Sequence, residues 1–374
     1  MTGTGSSTAR RMADAAHAWL AGLDPEQRRL AQRPFPADED RRRWFYTPTD
    51  HGGLTLDAMG PAQQRQAHQL VASGLSRAGY VTAATILGLE NVLDELEGWS
   101  TSFGYDRGRD PGRYFLRVFG EPGGGAWSWR FGGHHVSVQH TLVDGRVVAS
   151  TPCFLGADPS SSPLLGPHPL RPLAGAEDLG LELVRSLDDA QRAVAVLTSV
   201  APTDLVGGNR PELADGDLPL PLPDIWRNPL EGDLARQMAA AQDQLEASVG
   251  LRPEDLEAVR YTTRPKGLAA AAMTAAQRDG LRALLATYVE RLPDELADRE
   301  AARVHGDRLD AVHFAWAGAL ELGRPHYYRV QGPGLVVELD NTARDANHVH
   351  TVWRAPGNDF GDDVLARHRG EHPH

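Results

Sequence analysis

The sequence predicts an α+β fold: a mostly antiparallel sheet or barrel-like core, flanked by N-terminal and central helices. Two blocks, residues about 113–152 and 312–354, are rich in Phe, Val, Trp and Tyr and are broken by glycine clusters, as strands joined by tight turns are. The first hundred residues and the centre of the chain instead carry apolar residues at helical spacing. No internal repeat divides the chain, so one elaborated domain, residues 1–374, is expected.

In order, residues 10–32 read as helix, with Ala15, Trp19, Leu20 and Leu23 on one stripe, and Asp24-Pro25-Glu26 starts a further helical turn. A turn-rich stretch from Pro34 to Gly60 holds the aromatic run Trp44-Phe45-Tyr46. Pro61 suits a first helical position, and Leu70, Leu75, Ile86, Leu89, Leu93 and Leu96 predict two helices broken near Gly79, which makes residues 1–100 helical. About four antiparallel strands follow in 113–152, including a hairpin at Asp144-Gly145. Residues 176–200 return to helix, while 203–229 are rich in Pro, Gly and Asp and read as loop. Helices near 231–248 and 274–300 precede strands at 312–320, 326–331, 334–340 and 348–354.

Charge and cysteine content narrow the function classes. Thirty-eight Lys and Arg against fifty Asp and Glu give a net charge of −12, which argues against nucleic acid as the principal partner. No run reaches the roughly 18–20 apolar residues of a membrane helix, and no apolar leader segment is visible, so a cytoplasmic location without membrane partners is expected. The single cysteine, Cys153 between Pro152 and Phe154, reads as a buried, inert thiol.

The chemistry-bearing residues lie on the strands. In His348-Val349-His350-Thr351-Val352-Trp353-Arg354, period two places His348, His350 and Arg354 on one face, the imidazole-bearing Cα atoms about 6–7 Å apart. Two imidazoles at that spacing suit one cation. Glu338 and Asp340 share a face of the preceding strand, opposite Leu335, Val337 and Leu339, as a ligand or an acid/base pair would. Strict alternation through His134-His135-Val136-Ser137-Val138 sends the two adjacent histidines to opposite faces unless Gly132-Gly133 bends the strand. Arg130 and Arg354 are candidates for holding a carboxylate or phosphate, and Tyr327 and Trp353 for walling a pocket.

These residues sit within a pattern that resembles a known family. The pattern includes Arg43-Trp44-Phe45-Tyr46-Thr47-Pro48, Ile86 through Glu90, Trp127-Ser128-Trp129-Arg130-Phe131, Gly133-His134-His135, Gly156-Ala157-Asp158-Pro159 and Ser186-Leu187-Asp188. It is densest at the end: His326-Tyr327-Tyr328-Arg329, Glu338-Leu339-Asp340-Asn341-Thr342, Asn347 through Arg354, and Asn358-Asp359-Phe360-Gly361. The chain resembles DUF3500, a family of unknown function, over nearly its whole length. The resemblance implies that both strand blocks contribute to one site. His140 stands where family members are expected to carry an apolar aromatic, so it is left out of the ligand set, and 205–265 matches no part of the pattern and reads as a variable insertion.

The expectation is a metal-dependent enzyme acting on a small polar or anionic molecule. His348 and His350, with His134 or His135, bind a divalent metal ion (zinc, iron or copper), Glu338 or Asp340 completes the shell or acts as base, and Arg354 assists. Hydrolase-type chemistry leads; a copper- or iron-dependent oxidoreductase and a non-catalytic small-molecule-binding protein are the alternatives.

Overall fold

The computed structural model describes residues 6–163, 167–362 and 364–365, so the ends of the expected 1–374 domain lie outside it. Its strands are β1 (Gln32–Arg33), β2 (Leu54–Thr55), β3 (Phe115–Phe119), β4 (Ala126–Gly133), β5 (Val136–Val143), β6 (Arg146–Ala149), β7 (Cys153–Ala157), β8 (Val196–Thr198), β9 (Leu268–Ala269), β10 (His313–Gly318), β11 (His326–Gly332), β12 (Leu335–Thr342) and β13 (His348–Arg354). They join in one sheet ordered β1-β3-β4-β5-β7-β13-β12-β11-β10-β8, with β2, β6 and β9 pairing to β3, β5 and β10. Only the β1–β3 and β8–β10 pairs are parallel among the described residues. The architecture is α+β. The sheet ends at β1 and β8 without closing, which decides for an open sheet over a barrel.

The two predicted strand blocks meet through β7, a strand that the sequence reading left out. β7 pairs antiparallel with β5 on one side and with β13 on the other. It is buried throughout, so its sequence shows no polar alternation to mark it. Cys153 lies on it, buried, and burial pushes its thiol up.

Cross-strand register sorts the side chains into two unlike faces. Leu116, Val118, Trp129, Phe131, Val136, Leu155, Val349, Trp353, Leu339, Val337 and Tyr328 point to one, where they form the main core with Met12, Trp19, Leu70, Ile86, Leu181 and Leu284 of the helices. The helices providing that cover are Ser7–Ala21, Pro61–Gly74, Arg77–Leu96, Ala174–Ser186 and Ala275–Val289. The predicted break near Gly79 falls instead at Leu75–Ser76, where Ser76 caps the second helix by accepting from Gly79 N at 3.0 Å.

The opposite face carries Arg117, Arg130, Gln139, Phe154, Gly156, Asp340, Glu338, His350 and Arg329. The segment around Trp44–Tyr46 and the stretch from Ala201 to Tyr261 cover it, through an apolar cluster of Trp44, Tyr46, Phe154, Leu205, Ile225, Val352 and Phe360 and smaller ones that include Val259, at the end of the short helix Pro253–Val259, against Tyr327. Much of the expected 205–265 insertion is therefore a lid over the polar face, although the helix Gly232–Val249 within it buries none of its residues. A sheet face that keeps buried charges must answer them with partners, and those partners define the site.

Candidate metal centre

His134 and His135 are the two residues of the hairpin turn between β4 and β5, since Gly133 pairs with Val136. The alternation expected of a strand therefore does not apply to them. His135 has φ +62°, a left-handed conformation that is uncommon for a residue with a Cβ. It is held there by its own N–H donating to Tyr46 O at 3.0 Å and by Gly156 N donating to His135 O at 2.8 Å. The turn stacks the two imidazoles, with centroids 3.7 Å apart at 30°.

His348 and His350 project from β13 toward the same point, as period two predicts. Ring centroids lie 4.8 Å apart for His135 and His348, 5.2 Å for His135 and His350, and 4.6 Å for His348 and His350. One donor nitrogen from each of the three lies within 4.8 Å of the other two, and His135 Nε2 is 2.7 Å from His348 Nε2. The strand between them, β7, offers Gly156. A Cβ there would stand 2.9 Å from His135 Cδ2, 3.0 Å from His350 Cδ2 and 3.0 Å from Val349 O, so only glycine lets the rings close over the strand.

Carboxylates behind the rings orient them. His350 Nδ1 donates to Asp204 Oδ1 at 2.8 Å, while Asp204 Oδ2 accepts from Tyr46 Oη at 2.9 Å. That fixes the tautomer with the lone pair on His350 Nε2, which is buried and has no protein partner. His348 Nδ1 faces Asp158 Oδ2 at 3.6 Å, and Arg344 Nε pairs with the same carboxylate at 2.7 Å. Arg344, Asp345 and Ala346 all have positive φ, 52°, 54° and 62°, a left-handed turn that swings Arg344 back beside His348. Each such residue costs about 1–2 kcal/mol, and from this turn Arg344 pairs with both Asp158 and Glu97. Burial holds His135 and His348 well below the usual imidazole range, helped by the neighbouring histidines and, for His348, Arg344. Both are neutral at pH 7, the state a cation requires.

A second group, Glu90, His134 and His135, also brings donor atoms within 4.8 Å of one another. Burial pushes Glu90 up to about 8 against the pull of Arg109, so the protonated carboxyl donates to His134 Nδ1 at 2.6 Å. Arg109 Nη1 lies 3.4 Å from the His134 ring nitrogens. A neutral pair beside a guanidinium is a support for the His134-His135 turn, and a poor place for a second cation.

The other sequence candidates are distributed differently. Asp340 is directly opposite His350 in the β12–β13 ladder, buried, bonded to Thr342 and raised well above the usual carboxyl range by burial and by Asp204. Glu338 is fully enclosed by Tyr327 Oη, Arg329 Nε at 3.2 Å and Gly207 N at 2.6 Å. Arg354 binds Asp359 at 2.7 Å, Gly207 O at 2.8 Å and Pro211 O at 3.2 Å, clamping the lid stretch to β13. Arg130 holds the carbonyls of Asp40, Arg43 and His51. Trp353 faces the helices as core. Asp204, Tyr46, Asp158, Glu90 and Arg344 were not singled out from sequence; Tyr46, Asp158 and Glu90 lie inside the resembling segments, and Asp204 lies in a loop stretch with no local signal.

Two outcomes follow for this arrangement. Asp204→Asn is expected to weaken metal binding by about 10–100-fold, the usual effect of losing the carboxylate behind a ligating histidine; a competition titration against a chromogenic chelator reads it, and unchanged affinity would remove Asp204 from the site. The second concerns pH in chelator-treated protein. Burial keeps His51 at about 4, His140 at about 3, and His134, His135 and His348 well below 6.5. The unfolded chain takes up these protons below about pH 6.5, so stability falls as pH drops from there. Glu90 at about 8 and Asp340, held well above the usual carboxyl range by burial, keep protons that the unfolded chain has released, so above pH 6.5 stability falls with rising pH. In the acid range the five histidines outweigh these acids and Asp158, raised to about 6. Urea midpoints measured from about pH 5 to about pH 8 are expected to peak near 6.5, with about 1.4 kcal/mol per pH unit for each unmatched proton. A monotonic profile would contradict the assigned protonation states.

The family model described as "Protein of unknown function (DUF3500)" matches residues 5–362. No curated protein and no solved structure matches the chain.

Proposed function

This chain belongs to the DUF3500 family, and from that premise we propose a metal-dependent enzyme whose cation is held by His135, His348 and His350. One observation carries the reading: His350 Nε2 is buried without a partner, its tautomer set by Asp204, and it faces the two other imidazoles. A buried acceptor left unsatisfied costs about 1–3 kcal/mol, and a cation would remove that penalty. The donor set fits three nitrogen ligands with a position left for water or substrate.

Hydrolase-type action on a small polar or anionic molecule is the first reading. Three neutral ligands leave the full charge of a bound divalent ion, which supplies an activated water near neutral pH. The protein groups then have clear duties. Asp204 and Tyr46 hold the proton on His350 Nδ1, and Phe154, stacked on Tyr46 at 4.3 Å, excludes water from behind the ring. His348, 20 % exposed, and Arg344, 43 % exposed, mark the side from which a substrate enters, and Arg344 is the cation it meets first. A copper-dependent oxidoreductase is the second reading, favoured by the all-nitrogen set; Asp204 stands behind His350 as its hydrogen-bond acceptor, which disfavours an iron site of two histidines and one carboxylate.

The test is the metal content of tag-free protein purified without chelator, beside a His348→Ala/His350→Ala double variant. About one zinc per chain, lost in the variant, supports the hydrolase reading, which is then assayed on ester, amide and phosphoester panels with and without chelator. Copper in the same ratio moves the reading to redox chemistry. No metal in either protein overturns the metal-dependent enzyme and favours a non-catalytic small-molecule-binding protein.

A further inference from the structure

A second polar cluster lies away from the histidines, where β3 and β4 run under the Asp40–Gly52 segment. Asp40 is met there by three arginines: Arg117 Nη1 on Oδ2, Arg227 Nη2 at 3.4 Å and Arg130 Nη2 at 3.7 Å on Oδ1. Arg117 and Arg130 are 5 % and 3 % exposed. Three guanidiniums against one carboxylate leave two positive charges unanswered in a region of low accessibility, an arrangement that is unfavourable without a further anion. Burial, only partly opposed by Asp40, brings Arg130 down to about 10 and lowers Arg117 as well. His51 next to them is kept neutral at about 4 and adds no compensation.

The unpaired donor is identifiable. Arg227 Nη1 is buried and has no partner. Gly52, at φ +72°, lies between it and Arg117: a Cβ there would stand 2.9 Å from Arg227 Nη1 and 2.8 Å from Arg117 Nη1. The absence of a side chain at Gly52 thus lets two guanidiniums of like charge approach the same point. Beside them opens a hollow of about 370 Å³ lined by Ala37, Glu39, Asp40, Arg43 and Arg227. That size falls in the range of small-molecule sites. Of the other charges close by, Arg43 and Arg33 are matched by Glu39 and by Asp50, which accepts from Gly52 N at 2.7 Å, so the excess of two positive charges stands.

We propose that Arg227 and Arg43 form a binding site for a phosphate dianion in this hollow, with Arg117, Arg130 and Asp40 behind them supplying the positive field. Guanidiniums meet phosphate oxygens through paired N–H donors, and the charge of about −2 on a doubly ionised phosphate, reached near pH 6 for a monoester, equals the excess. The ligand is either free phosphate or the phosphate of a small monoester. The site does not depend on the metal centre.

Calorimetric titration of the full chain with inorganic phosphate and with glycerol phosphate tests it, in the presence of chelator and against sodium chloride at equal ionic strength. Saturable binding at one site per chain is expected, weakened about tenfold or more in Arg227→Gln by loss of a charge-assisted contact. Tighter binding of the ester assigns the phosphomonoester, and equal or tighter binding of inorganic phosphate assigns the free ion. Should Arg227→Gln fail to fold, Arg43→Gln at the rim makes the same comparison. No saturable heat with either probe, heat matched by sodium chloride, or an affinity unchanged in the folded variant overturns the proposal.

Discussion

Gly156→Ala is expected to lower metal affinity by on the order of 100-fold while leaving the protein folded. The added Cβ meets His135 Cδ2, His350 Cδ2 and Val349 O, all at 3.0 Å or less. Two of these atoms belong to candidate ligands and the third to the backbone of β13, so none can yield without moving the site. Either the rings part or β7 shifts from β13; a displacement near 1 Å at a preorganised site is enough for a loss of that size. Overpacking of this kind costs about 1–3 kcal/mol, which a domain of this length can absorb. Competitive chelator titration gives the affinity and urea unfolding the stability. Gly88→Ala is the control: nothing lies within 4 Å of its Cβ, and it sits inside the helix Arg77–Leu96, so it should leave metal binding intact and stabilise by up to about 1 kcal/mol. A Gly156→Ala protein that binds metal as tightly as its parent would sever the link between β7 and the three imidazoles.

Glu338→Ala is expected to produce the largest loss of stability, about 3–5 kcal/mol. Glu338 is 0 % exposed and Arg329 is 2 % exposed, and removing the carboxylate leaves that guanidinium buried without its counter-charge. Gly207 N and Tyr327 Oη lose their acceptor at the same time, which loosens the lid stretch on the polar face. Glu338→Gln retains part of the hydrogen bonding and is expected to lose less. The urea midpoint is the readout, with metal content alongside it. If both variants keep their stability but abolish activity, the residue is a working acid or base after all, and the structural reading of it fails.

The helices and most strands were legible because their apolar periods are regular, as in Leu70 to Leu96 and in Leu335 to Leu339. The pairing of His348 with His350 followed from period two alone. What sequence periodicity could not supply was the strand that brings His135 to them: Cys153-Phe154-Leu155-Gly156-Ala157 is five residues long, apolar on both faces, and looks like any short buried run. The same method misjudged His134 and His135, since alternation holds within strands and these residues make a turn. Trp353 is a different lesson. Its parity already set it opposite His350, with Val349 and Thr351, and the structure keeps it there, under the helices. Asp204 was out of reach, because a loop carboxylate has no spacing to read until the loop is folded over the sheet.

Glu97 and Arg344, paired across 247 positions, and His135 and His348, separated by 213, lie at the same mouth. This separation has a consequence for biosynthesis. When His135 and Gly156 leave the ribosome, one of the three imidazoles exists, yet β7 has only β5 beside it and its other edge is open until β13 is made. The polar face of β7 is likewise short of cover until the stretch from Ala201 to Tyr261 has followed it. Long-range pairing of this sort is slow and leaves an adhesive edge exposed during synthesis. A cation proposed for the three imidazoles can be taken up only once β13 has been made, His348 following His135 by 213 positions, and cellular yield is expected to respond to chaperone supply more strongly than to metal supply.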